Sequence, residues 1–392
     1  MSSNGNEPSI PNLVAQWNDI VSRSRTGESA TTAADAEVRT SLPASGGRRS
    51  LAPESPLESP MKSPPVPDAL ECLKQMLRVA VQLEFATIPP YLCALWSIED
   101  DLHRVAKSIR EVVQEEMLHL ALTCNLLAAM GETPDLCKWA PSYPGPLPGG
   151  VHSDLQVYLR GLDPVSLAAF VRIESPESLP DNVVVEPGDP VWKGGGTIGQ
   201  LYEAILAAFR RLKPKLKVDC QVTGPLSWRT LATLADVEWA IRLIQKQGEG
   251  AVIEPLDSGK DDLAHYYRFL EVLKEKRLAY DPAQKMFVWQ RGYSRPKVRP
   301  MGPVPEGGYP PSPDPQVEHL LNQFDKTYTN MLCFLNRTWK PGGQGSFIKA
   351  IDLMFELERY AKPLMAIPLP SDPKQTYGPR FRCLQASDKS EG

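Results

Sequence analysis

Glu116 and His119 stand one helical turn apart inside REVVQEEMLHLALTCNLLAAMG, residues 110–131. Val112, Val113, Met117, Leu118, Leu120 and Leu122 surround them. A carboxylate and an imidazole in such company cost free energy unless something pairs with them. The i, i+3 spacing puts both on one helix face, and a metal ion is what a helical bundle offers a Glu-x-x-His pair. In VQLEFATIPPY the helical neighbours of Glu84 are Ala80, Val81, Phe85 and Ile88. A cation would again remove the penalty of burying that charge. The di-metal bundle takes one Glu from a helix and a Glu-x-x-His from the next, then repeats the pattern in a second helix pair. Glu84, Glu116 and His119 fill its first half. Glu115 stacks with Glu111 on the more polar side and is expected in solvent or behind the ligands.

The second half is less determined. Glu203, in GQLYEAILAAF, has Gly199, Leu206 and Ala207 as helical neighbours, which suits a core-facing ligand and a solvated carboxylate equally. His265, in LAHYYRF, is the other histidine in an apolar helical setting, where a hydrogen-bonded core imidazole is the plainer reading. The last carboxylate stays open between Glu249 in KQGEG, Glu238 three turns before it, and Asp262 three residues before His265. His103, His152 and His319 are unconnected with this pattern. The chain has no P-loop, no Gly-rich dinucleotide turn, no G-x-S-x-G and no Cys/His nucleophile pairing.

The elements that must position these groups are helices. The periodicity predicts helices over 67–98 and 102–130, the second ended by Gly131 and Pro134. Pro89 and Pro90 should kink the first just past Glu84. A third helix starts at a Thr197 cap and runs to Pro214, and a fourth is LADVEWAIRLIQKQGEG. A fifth, DDLAHYYRFLEVLKEK, has Asp261 or Asp262 as cap. VEHLLNQFDKTYTNMLCFLNR and SFIKAIDLMFELERYAKPLM follow a Pro-rich loop. Few segments read as strands. The class is therefore mostly α: a helical bundle with long loop insertions and additional C-terminal helices. Residues 1–65 are Ser/Pro-rich and should be flexible, apart from NLVAQWNDIV, which has one apolar helical face to dock on the core or a partner. Residues 66–386 form the helical domain and 387–392 a tail.

With 392 residues, 42% of them hydrophobic, the chain can bury a sizeable core. A net charge of -4 with no basic stripe argues against nucleic acid and anionic membrane surfaces. Seven scattered cysteines without a Cys-x-x-Cys, and an N-terminus lacking a basic start and apolar stretch, predict a reduced, cytoplasmic protein. The longest apolar window, residues 79–98, contains Gln82, Glu84 and two prolines, and reads as a buried helix.

VQLEFATIPPYLCALWSI, VVQEEMLHLALTCNLLAAMG, GTIGQLYEAI, QGEG and LAHYYRFLE together resemble the ferritin-like domain of the iminophenyl-pyruvate dimer synthase family. That domain occurs in enzymes that couple two indole-pyruvate imines in violacein and rebeccamycin biosynthesis, and in stand-alone proteins. FDKTYTNMLCFLNRTW, AIDLMFELERYAKPLM and GPRFRC are similar to its C-terminal helices, so the likeness covers residues 66–386. The coupling enzymes are much longer chains. The resemblance implies a ferritin-like bundle whose metal pair is held by Glu84, Glu116, His119, Glu203, Glu249 and His265. The expected activity is a non-haem di-metal oxidoreductase of secondary metabolism. Two irons per chain are expected, with manganese or another divalent metal as substitutes. Its partners would be O₂ or peroxide, a small organic substrate near Phe85, Tyr91, Tyr202 and Tyr266, and a second copy in a homodimer. A mono-metal enzyme without redox chemistry and a non-catalytic ferritin-like scaffold for a larger synthase are the rival readings.

Overall fold

The computed structural model describes residues 11–16, 18–19, 69–176, 183–184, 186, 196–223, 229–248, 263–292 and 294–384. Its central element, α1 (Ala69–Ser97), is apolar on nearly every side, and Val79, Val81, Leu83, Tyr91 and Trp96 are all buried. A helix with no polar face must be surrounded by others. α2 (Arg104–Ala129) packs along it, and α3 (Pro164–Ile173) touches it further on. α4 (Ile198–Leu212) covers another side of α1, and α5 (Leu234–Gln247) packs on both α4 and α2. α6 (His265–Lys274) lies on α3 and reaches α2. It leads into an antiparallel hairpin of β1 (Lys276–Asp281) and β2 (Met286–Arg291), in which Leu278 faces Trp289. α7 (Pro315–Thr338) and α8 (Gln344–Leu364) pair with each other, and α8 leans on α1. The described fold is mostly helical, as the sequence predicts.

Local chemistry fixes the ends. Thr197 caps α4 by accepting from the Gln200 amide at 3.2 Å. Asp163 and Thr233 make capping boxes at α3 and α5, and Asp314 with Pro315 opens α7. Gly131 follows α2 at φ 76°, a conformation that glycine adopts without steric cost. The first two helices lie within two residues of their predicted bounds. α1 continues as helix through Pro89 and Pro90. Pro90 has no N–H to give the Ala86 carbonyl, and the Tyr143 hydroxyl donates to that oxygen instead at 2.6 Å.

α3 and the hairpin are elements that the sequence did not separate, and the hairpin begins where the fifth predicted helix ends. α6 begins at His265 with Ala264 before it and no side-chain cap. The expected caps Asp261 and Asp262 lie outside the described residues, as do Glu249 and most of the first 65 residues. Leu13 is an exception. It is fully buried, with the Cys72 thiol 3.9 Å from its carbonyl, so the short N-terminal helical stretch docks on the chain's own core. Among the described residues α1 is the one helix long and apolar enough to cross a membrane, and 89% of its most apolar window is buried inside the fold.

One buried group makes stability depend on pH. His152 sits at φ 43° and is 2% exposed. Burial, with the Arg172 guanidinium beside it, pushes its imidazole down to about 4. Below its ordinary value near 6.5 the unfolded chain takes up this proton and the folded chain does not, so stability falls as pH falls. Between neutral pH and pH 5 this group alone should cost about 2 kcal/mol. His152→Asn, which tolerates the positive φ, should flatten the slope of urea-unfolding stability over that window. An unchanged slope would contradict the assignment.

Candidate metal centre

Six helices bring their polar residues to one buried place. α1 contributes Glu84, Thr87 and Tyr91, and α2 contributes Glu115, Glu116 and His119. Glu174 is the residue that ends α3, Tyr202 comes from α4, and His265 is the first residue of α6. Gln247 and Gly248 close α5. Glu84, Glu116, Glu174, His119 and His265 are at most 6% exposed. Apolar Leu83, Ile198 and Ile244 help enclose a cavity of about 10 Å³ beside Glu84, Glu116, His119 and Glu174. A Cβ on Gly248 would stand 3.7 Å from Glu174 Oε2 and 4.0 Å from His119 Cε1, so bare backbone closes this side.

Both imidazoles are oriented the same way. His119 Nε2 donates to Gln247 Oε1 at 3.0 Å, and His265 Nε2 donates to Glu115 Oε2 at 3.0 Å. Each Nδ1 therefore turns inward. His119 Nδ1 lies 3.5 Å from Glu116 Oε1 and 3.6 Å from Glu84 Oε2. His265 Nδ1 lies 2.8 Å from Glu116 Oε1 and 3.7 Å from Glu174 Oε2, yet has no well-directed hydrogen bond among the described residues. The rings are stacked with centroids 5.5 Å apart. Tyr202 donates to Glu84, Tyr91 donates to Glu174 at 2.6 Å, and Thr87 donates to Glu116 at 2.6 Å. Arg268 lies 3.3 Å from Glu115 and anchors it from behind.

In the neutral tautomers that these outer contacts select, two nitrogen lone pairs point at carboxylate oxygens. That arrangement repels unless a proton or a metal ion lies between them. Protonation has a large effect in the metal-free chain. Burial lowers the His119 value, but hydrogen bonds to Glu116 and Glu84 override it and hold the imidazole up at about 10. His265 is likewise raised despite burial, by Glu115, Glu116 and Glu174. Glu84 is raised by burial, whereas Glu116 is depressed because its two histidine contacts outweigh its desolvation. The donor set fits a divalent cation: hard carboxylates, two inward nitrogens and an orphaned buried Nδ1. Glu116, His119 and His265 each present an atom within 4.8 Å of the others'. Glu115–His265 and Gln247–His119 are the outer contacts that fix the tautomer and ring orientation of a metal-binding histidine.

The structure thus brings together Glu84, Glu116, His119 and His265 of the expected set. It does not bring Glu203. That carboxylate faces outward from α4, where its partners are Arg242 and Gln245 at 3.1 Å. Tyr202, one residue earlier, holds the inward position. Glu238 pairs with Arg210 at 2.6 Å, away from the cluster, and Glu249 and Asp262 lie outside the described residues. Glu174 was missed by sequence reasoning, although an acidic residue ending the apolar run LAAFVRI was a usable signal. Glu115 is buried behind His265, the second of its two expected places. Tyr91 and Tyr202 reach the carboxylates. Tyr266 packs edge-on against Tyr267, and Phe85 lines a separate apolar cavity of about 410 Å³. Exchanging Glu203 for Gln should leave metal content unchanged and cost at most about 1 kcal/mol, since its ion pair is half exposed. Loss of metal from this variant would restore Glu203 to the site.

A family model described as ferritin-like matches residues 77–274, half of the chain, which carry all of these residues. The chain belongs to the ferritin-like family. Dichlorochromopyrrolate synthase from Lentzea aerocolonigenes is 25% identical over 315 residues, covering 71% of this chain but 30% of that protein's length. A solved ferritin-like protein from Caulobacter vibrioides shares the fold, with a TM-score of 0.54 at 23% identity over 79% of this chain and 97% of that one. This ferritin-like chain places carboxylates and histidines at the centre of its bundle, the two histidines coming from α2 and α6.

Proposed function

We propose that the chain is a non-haem metal oxidoreductase that uses O₂ or peroxide on a small organic substrate of secondary metabolism, with two irons as its metal. The observation that carries this reading is the inward Nδ1 of both His119 and His265 against three buried carboxylates. Glu84, Glu116, Glu174, His119 and His265 would hold the metal, with Glu116 between the histidines. Four buried carboxylates, counting Glu115, face one buried guanidinium, and divalent cations would offset that excess charge. A bound iron pair supplies reversible electron transfer to the oxidant. The protein's own part is orientation and exclusion of water. Tyr202 and Tyr91 hold the outer oxygens of Glu84 and Glu174, while Leu83, Ile198 and Ile244 keep the cavity dry. The likeness to dichlorochromopyrrolate synthase supports a biosynthetic setting.

A single metal is the second reading, and it too has an observation behind it. Glu116, His119 and His265 alone form a two-histidine, one-carboxylate group, the set used by mono-iron oxygenases. Elemental analysis of aerobically and anaerobically purified chain, with optical spectra before and after air, tests both. Two irons per chain and an air-dependent spectral change are expected. One metal per chain would favour the second reading. No metal after anaerobic reconstitution would end both.

A further inference from the structure

Three cysteines from distant parts of the chain meet on α7. Asn336 of α7 accepts from the Leu136 amide at 2.6 Å and the Cys137 amide at 3.4 Å, and donates to Asp135 at 2.7 Å. This pins the turn that carries Cys137. Two to three turns earlier, Asp325 accepts from the Arg382 amide at 3.3 Å and Thr329 Oγ1 from the Leu384 amide at 2.9 Å. Those bonds pin Cys383. Cys333 lies on α7 between Thr329 and Asn336, at the i+4 and i−3 positions that share their face. The Cys137 side chain is close enough to those of Cys383 and Cys333 for the three thiols to influence one another's protonation. All three thiols are partly exposed, and Cys137 and Cys383 line a common cavity of about 420 Å³ with Lys138, Tyr143, Arg380 and Arg382. The thiols of Cys72, Cys93 and Cys124 are buried.

We propose that Cys137 and Cys383 form an oxidant-sensitive pair that closes to an intramolecular disulfide, with Cys333 as the alternative partner of Cys137. The oxidant is a peroxide. It oxidises one thiol to a sulfenic acid and leaves as water. The sulfur of the second thiol then displaces the hydroxyl as a second water. Two thiols lose two protons and two electrons, and one hydrogen peroxide becomes two waters. Backbone bonds to α7 on both sides keep the sulfurs near each other, which favours closure over further oxidation. Lys138, Arg380 and Arg382 line the cavity beside the sulfurs. The contact with Cys383 and burial push the Cys137 thiol up, so Cys137 stays protonated as the partner of the sulfur that meets the oxidant.

The test uses the full-length protein as purified, treated with a small excess of hydrogen peroxide and, separately, with diamide, a thiol oxidant that needs no metal. Alkylatable thiols should fall by two from seven with either oxidant. Non-reducing peptide mapping should find Cys137 linked to Cys383 within one chain, reversed by dithiothreitol. In Cys383→Ser the link should move to Cys333, and in Cys137→Ser neither link should form. Seven remaining thiols, sulfinic or sulfonic acids without a link, or links only between chains would each overturn the proposal. Should Cys137→Ser fail to fold, the wild-type map and Cys383→Ser still decide it.

Discussion

Glu116→Ala is expected to leave the chain with less than roughly a tenth of the wild-type metal under conditions that saturate it. Outer contacts of metal-binding histidines are each worth about 10–100-fold in affinity, and a direct ligand should exceed that. Glu116 is the carboxylate that approaches both inward nitrogens, at 3.5 Å from His119 and 2.8 Å from His265. Removing it takes the central ligand from both histidines at once. It also strips two buried imidazoles of the counter-charge they share, a change that costs about 3–5 kcal/mol when one partner of a buried pair is lost. Glu116→Gln keeps the volume and the oxygen that accepts from Thr87, so it separates metal loss from misfolding. Elemental analysis and thermal unfolding of both variants are the measurements. A Gln variant that folds like wild type and keeps its full metal complement would remove Glu116 from the site.

Asn125→Ala should be the most damaging change outside that centre. Asn125 is fully buried in α2, two turns beyond His119. Its Oδ1 accepts from the Val222 amide at 2.9 Å and Trp339 Nε1 at 2.8 Å, and its Nδ2 donates to the Val222 carbonyl at 2.9 Å. Truncation orphans three buried polar groups at about 1–3 kcal/mol each, part of which relaxes. A loss of about 3–5 kcal/mol follows, or roughly 10 °C in Tm for a domain of this size. Urea unfolding gives the free energy and a thermal scan the midpoint. A loss below about 1 kcal/mol would mean that water takes over the bonds.

The two variants probe different connections of one helix. Glu116 and His119 lie on the face of α2 toward α1 and α6, whereas Asn125 ties its C-terminal end to the residue that closes α7. Metal content in Asn125→Ala therefore reports whether the C-terminal helix pair is needed to hold the centre in register.

Whatever depended on neighbours in sequence was legible without the fold. Glu116 and His119 share a face because three residues subtend nearly one helical turn, and apolar neighbours on every side of Glu84 left it nowhere to go but inward. The Thr197 cap and the Gly131 stop are equally local. The helical class followed from those long apolar runs, and the ferritin-like expectation from the resemblance of the segments that carry the ligands. What the tertiary structure decided was which polar side chain of each later helix turns inward, since that depends on how the helix is rotated against its neighbours. On α4 the rotation gives the inside to Tyr202 and sends Glu203 to Arg242, one residue from the expected ligand. Glu174 reaches the centre because α3, an element the sequence did not separate, ends beside α6. Gln247 and Glu115 acquire their roles from the two histidines they orient, across separations no periodicity encodes. A residue's spacing within a helix is fixed by backbone geometry, but the partner across the bundle is fixed only when the helices pack.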